Sequence, residues 1–418
     1  MDKSHSSEKQ SGVYFPSLNG VRFVAALGVI MHHLEQHKHI FGLKNVYTSS
    51  FVGGVFGKLG IIMFFVLSGF LITYLLLKEK EKTGRISVKH FYIRRMLRIW
   101  PLYYLIVITG LFLMPYISFF DVPGRTEFVH DNLGIKIFFL VFFMPNVIDS
   151  IYRATPIPYV DQVWSVGVEE QFYFAWPWLV KYSKNLFKTL TYIIIGYFVL
   201  KFAFEYLFYM YPTNWYFDNA NYFMTYFCID DIALGGLMAC TLYYKKEKML
   251  KFLFNKYVQI FTYASLAIIT VNGIAVPHVT FEVYAVLFAI MIINLAANPK
   301  TIISFENKWL SYLGKITYGL YLYHYIAIVA AIKLGMRYVD PNNLVLSNIV
   351  YYVVTFGICI GMAVISYEFF EKRFLQFKVK FSSIISGDHA KELQESDKNP
   401  KNEEPIQINE AKAVKILA

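Results

Sequence analysis

LGIIMFFVLSGFLITYLLL, residues 59–77, contains no charged side chain. A helix of about 20 apolar residues crosses the ~30 Å hydrocarbon core of a bilayer. Comparable blocks recur along the chain. Spans read near 20–36, 58–77, 101–119, 164–182, 189–209, 222–243, 253–272, 279–297, 312–335 and 346–370. Of the 418 residues, 56% are hydrophobic and only 17% charged, against about 25% charged in soluble domains. The pattern predicts an all-α polytopic membrane protein with about ten transmembrane helices. IKIFFLVFFMP (135–145) is about half a membrane thick and reads as a re-entrant or interfacial piece. Such a piece is tolerated only where protein covers its free backbone groups.

The net charge is +11, but the basic residues cluster between apolar blocks rather than along a stripe interleaved with aromatics. This argues against nucleic acid and for the positive-inside rule. With a cytoplasmic N-terminus, the inner loops 78–100, 181–188, 244–252 and 298–311 hold seventeen lysines and arginines. The outer segments hold five: Lys38, Lys44, Arg125, Arg153 and Arg337. Both termini are therefore expected in the cytoplasm, with the first span an uncleaved anchor. The polar stretch 1–15 is followed by no small-residue cleavage site. From about Ser386 the chain is polar and charged, and a largely disordered cytoplasmic tail is expected over 376–418, leaving a membrane domain at 16–375. Cys228, Cys240 and Cys359 lie in or beside apolar segments with no zinc or disulfide spacing.

VRFVAALGVIMHHLEQH (21–37) puts ionisable residues into the first span. Arg22 and His33 are eleven residues apart, so they share one helix face with a rise of roughly 16 Å. His32 points about 100° away. An ionisable group at that depth lines a cavity or pathway, or bonds to a neighbouring helix. A neutral histidine suits a general base. A metal site on His33, His37 and His39 lacks a nearby carboxylate or cysteine to complete it. Arg95 and Arg98, three apart in RRMLR, share a face on the inner side if helical. They suit phosphate recognition or plain positive-inside anchoring. Ser68-Gly69 suggests close helix packing, with a place beside a donor as the alternative. His324, mid-span, reads as structural or pocket-lining. Asp230 and Asp231 read as helix-terminal residues.

Three stretches together resemble the membrane-bound acyltransferase-3 family. They are SLNGVRFVAALGVIMHH (17–33), MFFVLSGFLITYLL with FYIRRMLRIWPLYYL (63–76, 91–105), and VWSVGVEEQFYFAWPWLV (163–180). ITYGLYLYHY (316–325) and YEFFEKRF (367–374) are similar to weaker motifs of the family. The resemblance implies transfer of an acyl group, commonly acetyl, from cytoplasmic acyl-CoA to a hydroxyl of a carbohydrate or cell-envelope glycoconjugate. It implies an inner-membrane location and no metal. His33 then matches the catalytic histidine and Arg22 its partner, while Arg95 and Arg98 match the Arg-x-x-Arg pair linked to acyl-CoA. Glu169 matches the acidic residue of the Trp-Ser…Glu stretch. Asn19 stands where many relatives have aspartate, so an Asp–His pairing does not carry over. No appended extracytoplasmic domain follows, so action alone or handover to a separate protein is implied.

The reaction needs a base and oxyanion stabilisation but no protein nucleophile. The expected catalytic residues are His33 and Glu169, with Arg22, Arg95, Arg98 and Ser68 at the donor. Trp164, Glu170, Gln171, Tyr173 and His324 are expected at the acceptor. Carboxylates near a helix N-terminus are also favoured by the dipole alone. A transporter or flippase is the rival function, since buried Arg, His and Glu also build proton relays. The inverted repeats common in transporters are not evident.

Overall fold

In the computed structural model the described residues are 12–47, 55–152, 157–340, 343–387 and 390–391. They form two units. In the smaller one, Val13 N–H donates to Ile385 O at 2.8 Å in an isolated parallel bridge with Ser386. The expected tails lie largely outside the described residues, over 1–11 and beyond 391.

The larger unit, residues 16–382, is helical. Its helices are α1 (Leu18–Ile40), α2 (Phe56–Thr83), α3 (Val88–Phe112), α4 (Leu133–Val141), α5 (Pro145–Tyr152) and α6 (Trp164–Tyr182). Next come α7 (Leu186–Met210), α8 (Trp215–Phe227), α9 (Ile229–Tyr243), α10 (Glu247–Leu253), α11 (Lys256–Val271) and α12 (Thr280–Ala297). The last are α13 (Lys308–Lys315), α14 (Thr317–Tyr338), α15 (Leu344–Ser366) and α16 (Lys372–Val379), with a π-helical turn at Tyr367–Glu371. Asparagine starts many of them. The side chains of Asn185, Asn214, Asn255, Asn307 and Asn343 each accept from a backbone N–H of the first turn.

Helices occupy all ten expected span positions. Seven are long and apolar enough to cross a membrane, or eight if the bent pair α10–α11 is one span. Two expected spans, α1 and α6, are not among these. They carry Arg22, Glu35 and Lys38, and Glu169, Glu170 and Lys181. The run at 135–145 forms only the nine-residue α4 and the start of α5. Two boundaries differ from the sequence reading. Helix α3 begins at Val88, not near 101, because Ser87 accepts from His90 N–H and caps it, and Pro101 sits inside the helix. Within the expected span 222–243 the helix is interrupted at Cys228, whose φ of 46° lies in the left-handed region, while Trp215–Tyr243 still forms one candidate span.

Helix α2 lies at the centre, against α1, α6, α9 and α12. Its approach to α9 depends on two glycines. A Cβ on Gly69 would lie 1.9 Å from Ile232 O, and one on Gly235 2.0 Å from Val66 O. The packing role expected for Gly69 is thus visible. By contrast, α7 exposes Tyr192, Ile195, Val199, Phe202 and Tyr206, as a lipid-facing helix does.

Candidate active site

Helices α2, α3 and α6 bring a cationic cluster together. The Arg95 guanidinium lies over the rings of Tyr173 (5.3 Å) and Phe91 (5.6 Å). Its Nε is buried without a hydrogen-bond partner. Ser68 Oγ and Tyr173 Oη are 2.7 Å apart, and Tyr173 O–H donates to Glu169 Oε2 at 3.2 Å. Arg22, Arg95, Arg98, Tyr173 and Glu169 are close enough to act electrostatically on one another. Arg22 Nη1 also donates to Asn19 Oδ1 at 2.6 Å, so the asparagine partners the arginine one turn away. Arg94 is separate: it bonds to Glu79 at 2.8 Å and to Phe381 O at 2.7 Å. Burying several guanidiniums around one carboxylate is unfavourable unless an anion is supplied.

Helices α1 and α14 build a second cluster. His33 Nδ1 lies 3.0 Å from His324 Nε2, with ring centroids 4.9 Å apart and the ring planes 27° from parallel. His324 Nδ1 bonds to Tyr321 O, one turn back. Tyr325 packs against His33, His37 and His324 at 4.9, 4.8 and 4.5 Å. His37 Nδ1–H donates to His33 O at 2.8 Å, which occupies that nitrogen. His32 meets His33 edge-on at 5.0 Å and lies on Gly57, where a Cβ would come within 2.6 Å of its ring. Among the described residues no group of three His, Cys, Asp or Glu is arranged to hold a metal ion.

The start of α6 joins this histidine pair. Tyr321 O–H donates to Gln162 O at 2.6 Å, and Ser165 Oγ is 2.6 Å from the same hydroxyl. Gln162 Nε2–H donates to Leu322 O at 2.9 Å. Ser165 thus faces the histidine pair through Tyr321, while Glu169, one turn on, faces the arginines.

The residues expected at the acceptor do not form one surface. Gln171 donates to Phe143 O and pairs with Asn146, anchoring the segment between α4 and α5. Trp164 packs with Phe65, Tyr226 and the Lys58 ammonium. Glu170 accepts from Trp100 Nε1–H at 3.0 Å. Tyr173 joins the arginines, and His324 joins His33. Sequence reasoning did not single out Tyr321 or Ser165. The Trp-Ser dipeptide was their one signal.

A cavity of about 140 Å³ opens among α4, α5 and the turn before α6, lined by Asp131, Lys136, Asp149 and Asp161 among others. Burial pushes the Asp161 carboxyl up to about 6, although the Arg125 guanidinium opposes this. Burial and the neighbouring Asp161 raise Asp149 well above the usual carboxylate range.

A multi-helix membrane protein with partly buried arginines around a Ser–Tyr–Glu chain, and a paired histidine elsewhere in the same bundle, has the makings of a membrane-embedded group-transfer enzyme. The chain belongs to the acyltransferase domain family, whose model matches residues 15–367. It is 27% identical over 362 residues to the peptidoglycan O-acetyltransferase OatA of Listeria monocytogenes, covering 80% of this chain and 52% of the relative. It is 28% identical over 391 residues to a putative O-acetyltransferase of Staphylococcus aureus strain COL, covering 88% and 58%. The O-acetyltransferase OatA of Staphylococcus aureus strain NCTC 8325 is 27% identical over 383 residues, covering 86% and 57%. The chain thus spans little more than half the length of these curated relatives. No solved structure matches.

Proposed function

We propose that this protein transfers an acyl group, acetyl by preference, from cytoplasmic acyl-CoA to a carbohydrate hydroxyl of the cell envelope. The acceptor class follows from the relatives, one of which carries peptidoglycan in its name. In this reading the chain crosses the cytoplasmic membrane ten times, with both ends inside and a lipid or polymer-borne glycan presented from outside. Arg95, Arg98 and Arg22 hold the donor's phosphates. The observation that carries this is the buried, unpartnered Nε of Arg95 among neighbouring cations. Glu169, Ser68 and Tyr173 fix the arginine side chains.

His33 acts as base in a direct transfer. Its Nε2 takes the proton of the acceptor hydroxyl while that oxygen attacks the thioester carbon. The tetrahedral intermediate collapses with cleavage of the C–S bond, and the imidazolium returns the proton to the departing thiolate. No covalent enzyme intermediate is required. Family membership favours this reading over a transporter or flippase.

The test uses purified protein in nanodiscs with radiolabelled acetyl-CoA and disaccharide muropeptides. His33→Ala is expected to lower transfer by roughly 10²–10⁴-fold, the usual weight of a general base. Transfer by His33→Ala at the wild-type rate, or a stable acetyl-enzyme formed without acceptor, contradicts the mechanism.

A further inference from the structure

His324 is completely buried, with 0% exposure. Its Nδ1 faces Tyr321 O, and a carbonyl oxygen can only accept, so Nδ1 carries a proton. Among the described residues no carboxylate hydrogen-bonds to either ring of the histidine pair. The side chains around it are Tyr325, Tyr321, His32 and His37, and the Arg125 guanidinium is near enough to act on His33. A dry ring with no anionic partner is held neutral by the cost of desolvating a charge. Neutral His324 therefore presents a bare lone pair at Nε2. That lone pair lies 3.0 Å from His33 Nδ1, which must be the donor. With its proton on Nδ1, neutral His33 has its lone pair on Nε2.

We propose that His324 is a positioning residue for His33, fixing the ring orientation and the tautomer that leaves Nε2 free to accept a proton. This rests on the reading of His33 as base. Tyr321 sets the direction of the carbonyl that polarises His324, and its hydroxyl is tied to Gln162 O and Ser165. The Trp-Ser stretch of α6 thereby acts on the base through three consecutive hydrogen-bonded groups. When His33 takes a proton, its Nδ1–H still donates to His324, so the imidazolium keeps its partner. A neutral imidazole is a weaker acceptor than a carboxylate, and His33 stays a mild base suited to returning its proton to a thiolate.

Three variants and one spectrum test the proposal. His324→Phe keeps a flat ring and removes the acceptor. His324→Gln restores an amide oxygen within reach of His33 Nδ1. With acetyl-CoA and disaccharide muropeptides, the Phe variant is expected to lose about 10- to 100-fold in kcat, with the KM for acetyl-CoA changed less than about twofold. The Gln variant is expected to recover most of that loss. Wild-type kcat in the Phe variant, or equal losses in Phe and Gln, overturns the proposal. His33→Ala separates the two readings. If it transfers at the wild-type rate, the base assignment fails. If it is inactive while His324→Phe is unimpaired, only the positioning role fails. Independently of turnover, protein labelled with [15N]histidine, with the His33 signals assigned by their loss in His33→Ala, reports the tautomer. Nδ1 protonated and Nε2 bare is expected, with a mixture of tautomers in His324→Phe. An unchanged His33 spectrum in that variant also overturns the proposal.

Discussion

His33 and His324 lie 3.0 Å apart at their ring nitrogens although 291 positions separate them in the chain. The contact ties the first helix to one of the last and, on the proposed mechanism, orients the base. It stands apart from the arginines, which gather around Tyr173 and Glu169. The following outcomes are expected.

Arginine substitutions separate binding from anchoring. On the proposed function, Arg95→Gln and Arg98→Gln each remove a charge-assisted contact to the donor, worth about 1.5–3 kcal/mol. The KM for acetyl-CoA then rises roughly 10- to 150-fold, while kcat moves much less. Arg94→Gln behaves differently, because Arg94 is engaged by Glu79 and Phe381 O. It leaves the donor KM near wild type and lowers the melting temperature. Initial-rate kinetics beside thermal unfolding in detergent check both.

The carboxyl pair at the cavity gives a pH dependence. An unfolded aspartate titrates near 3.9, and Asp161 in the fold is pushed up to about 6. The folded state therefore holds the proton more tightly. Its stabilising contribution is complete below about pH 4 and is lost as pH rises through about 6. Asp149 is shifted in the same direction and extends the window upward. The double variant Asp149→Asn, Asp161→Asn is expected to melt higher than wild type at pH 7.5, with the difference shrinking by pH 4.5. Melting curves at the two pH values measure it. Equal differences at both contradict the linkage.

The membrane class and the arginine positions were legible because they rest on local pattern. Long apolar blocks, and residues three or eleven apart on a helix, need no tertiary information. The partner of His33 was not legible, since nothing local links residue 33 to residue 324. The placing of Gln171 beside Asn146 and of Trp164 beside Lys58 was not legible for the same reason: side chains close in sequence on α6 project in different directions. Pro101 misplaced the start of α3, because proline is favoured in a first turn and Trp100-Pro101 reads as one. The actual start is set by Ser87. The interruption at Cys228 did leave a local signal, since Asp230 and Asp231, read as helix-terminal residues, stand in the first turn of α9.

Close packing of α2 on α9 is expected to tolerate no side chain at Gly69. Its added Cβ would meet the Ile232 carbonyl at 1.9 Å, and backbone cannot swing aside as a side chain can. Gly69→Ala therefore separates the two helices or strains them, at a typical overpacking cost of about 1–3 kcal/mol. Gly196→Ala on α7 meets nothing within 4 Å and serves as the control. It is expected to be neutral or mildly stabilising, since alanine is the better helix former. Melting temperatures of the two variants decide the matter.

Lys38, counted from sequence among the outer cations, forms a buried pair with Glu35 at the end of α1. Lys38 Nζ lies 2.7 Å from Glu35 Oε1 and donates to Asn348 Oδ1 at 2.6 Å. Glu35 also accepts from Tyr352 O–H at 2.9 Å and from Val46 N–H at 2.8 Å. The network joins α1, α15 and the segment after α1. Both charged side chains are 2% exposed, so removing one strands the other in a dry site. Lys38→Met is expected to cost about 3–5 kcal/mol, the usual penalty for breaking a buried pair. Lys38→Met combined with Glu35→Gln removes the stranded charge and recovers part of that loss, because the single Gln amide oxygen still accepts from one of the two donors, Tyr352 O–H or Val46 N–H. A double-mutant cycle on unfolding free energy measures the coupling. Additive losses would mean that the two charges act independently and that the pair does not hold α15 to α1.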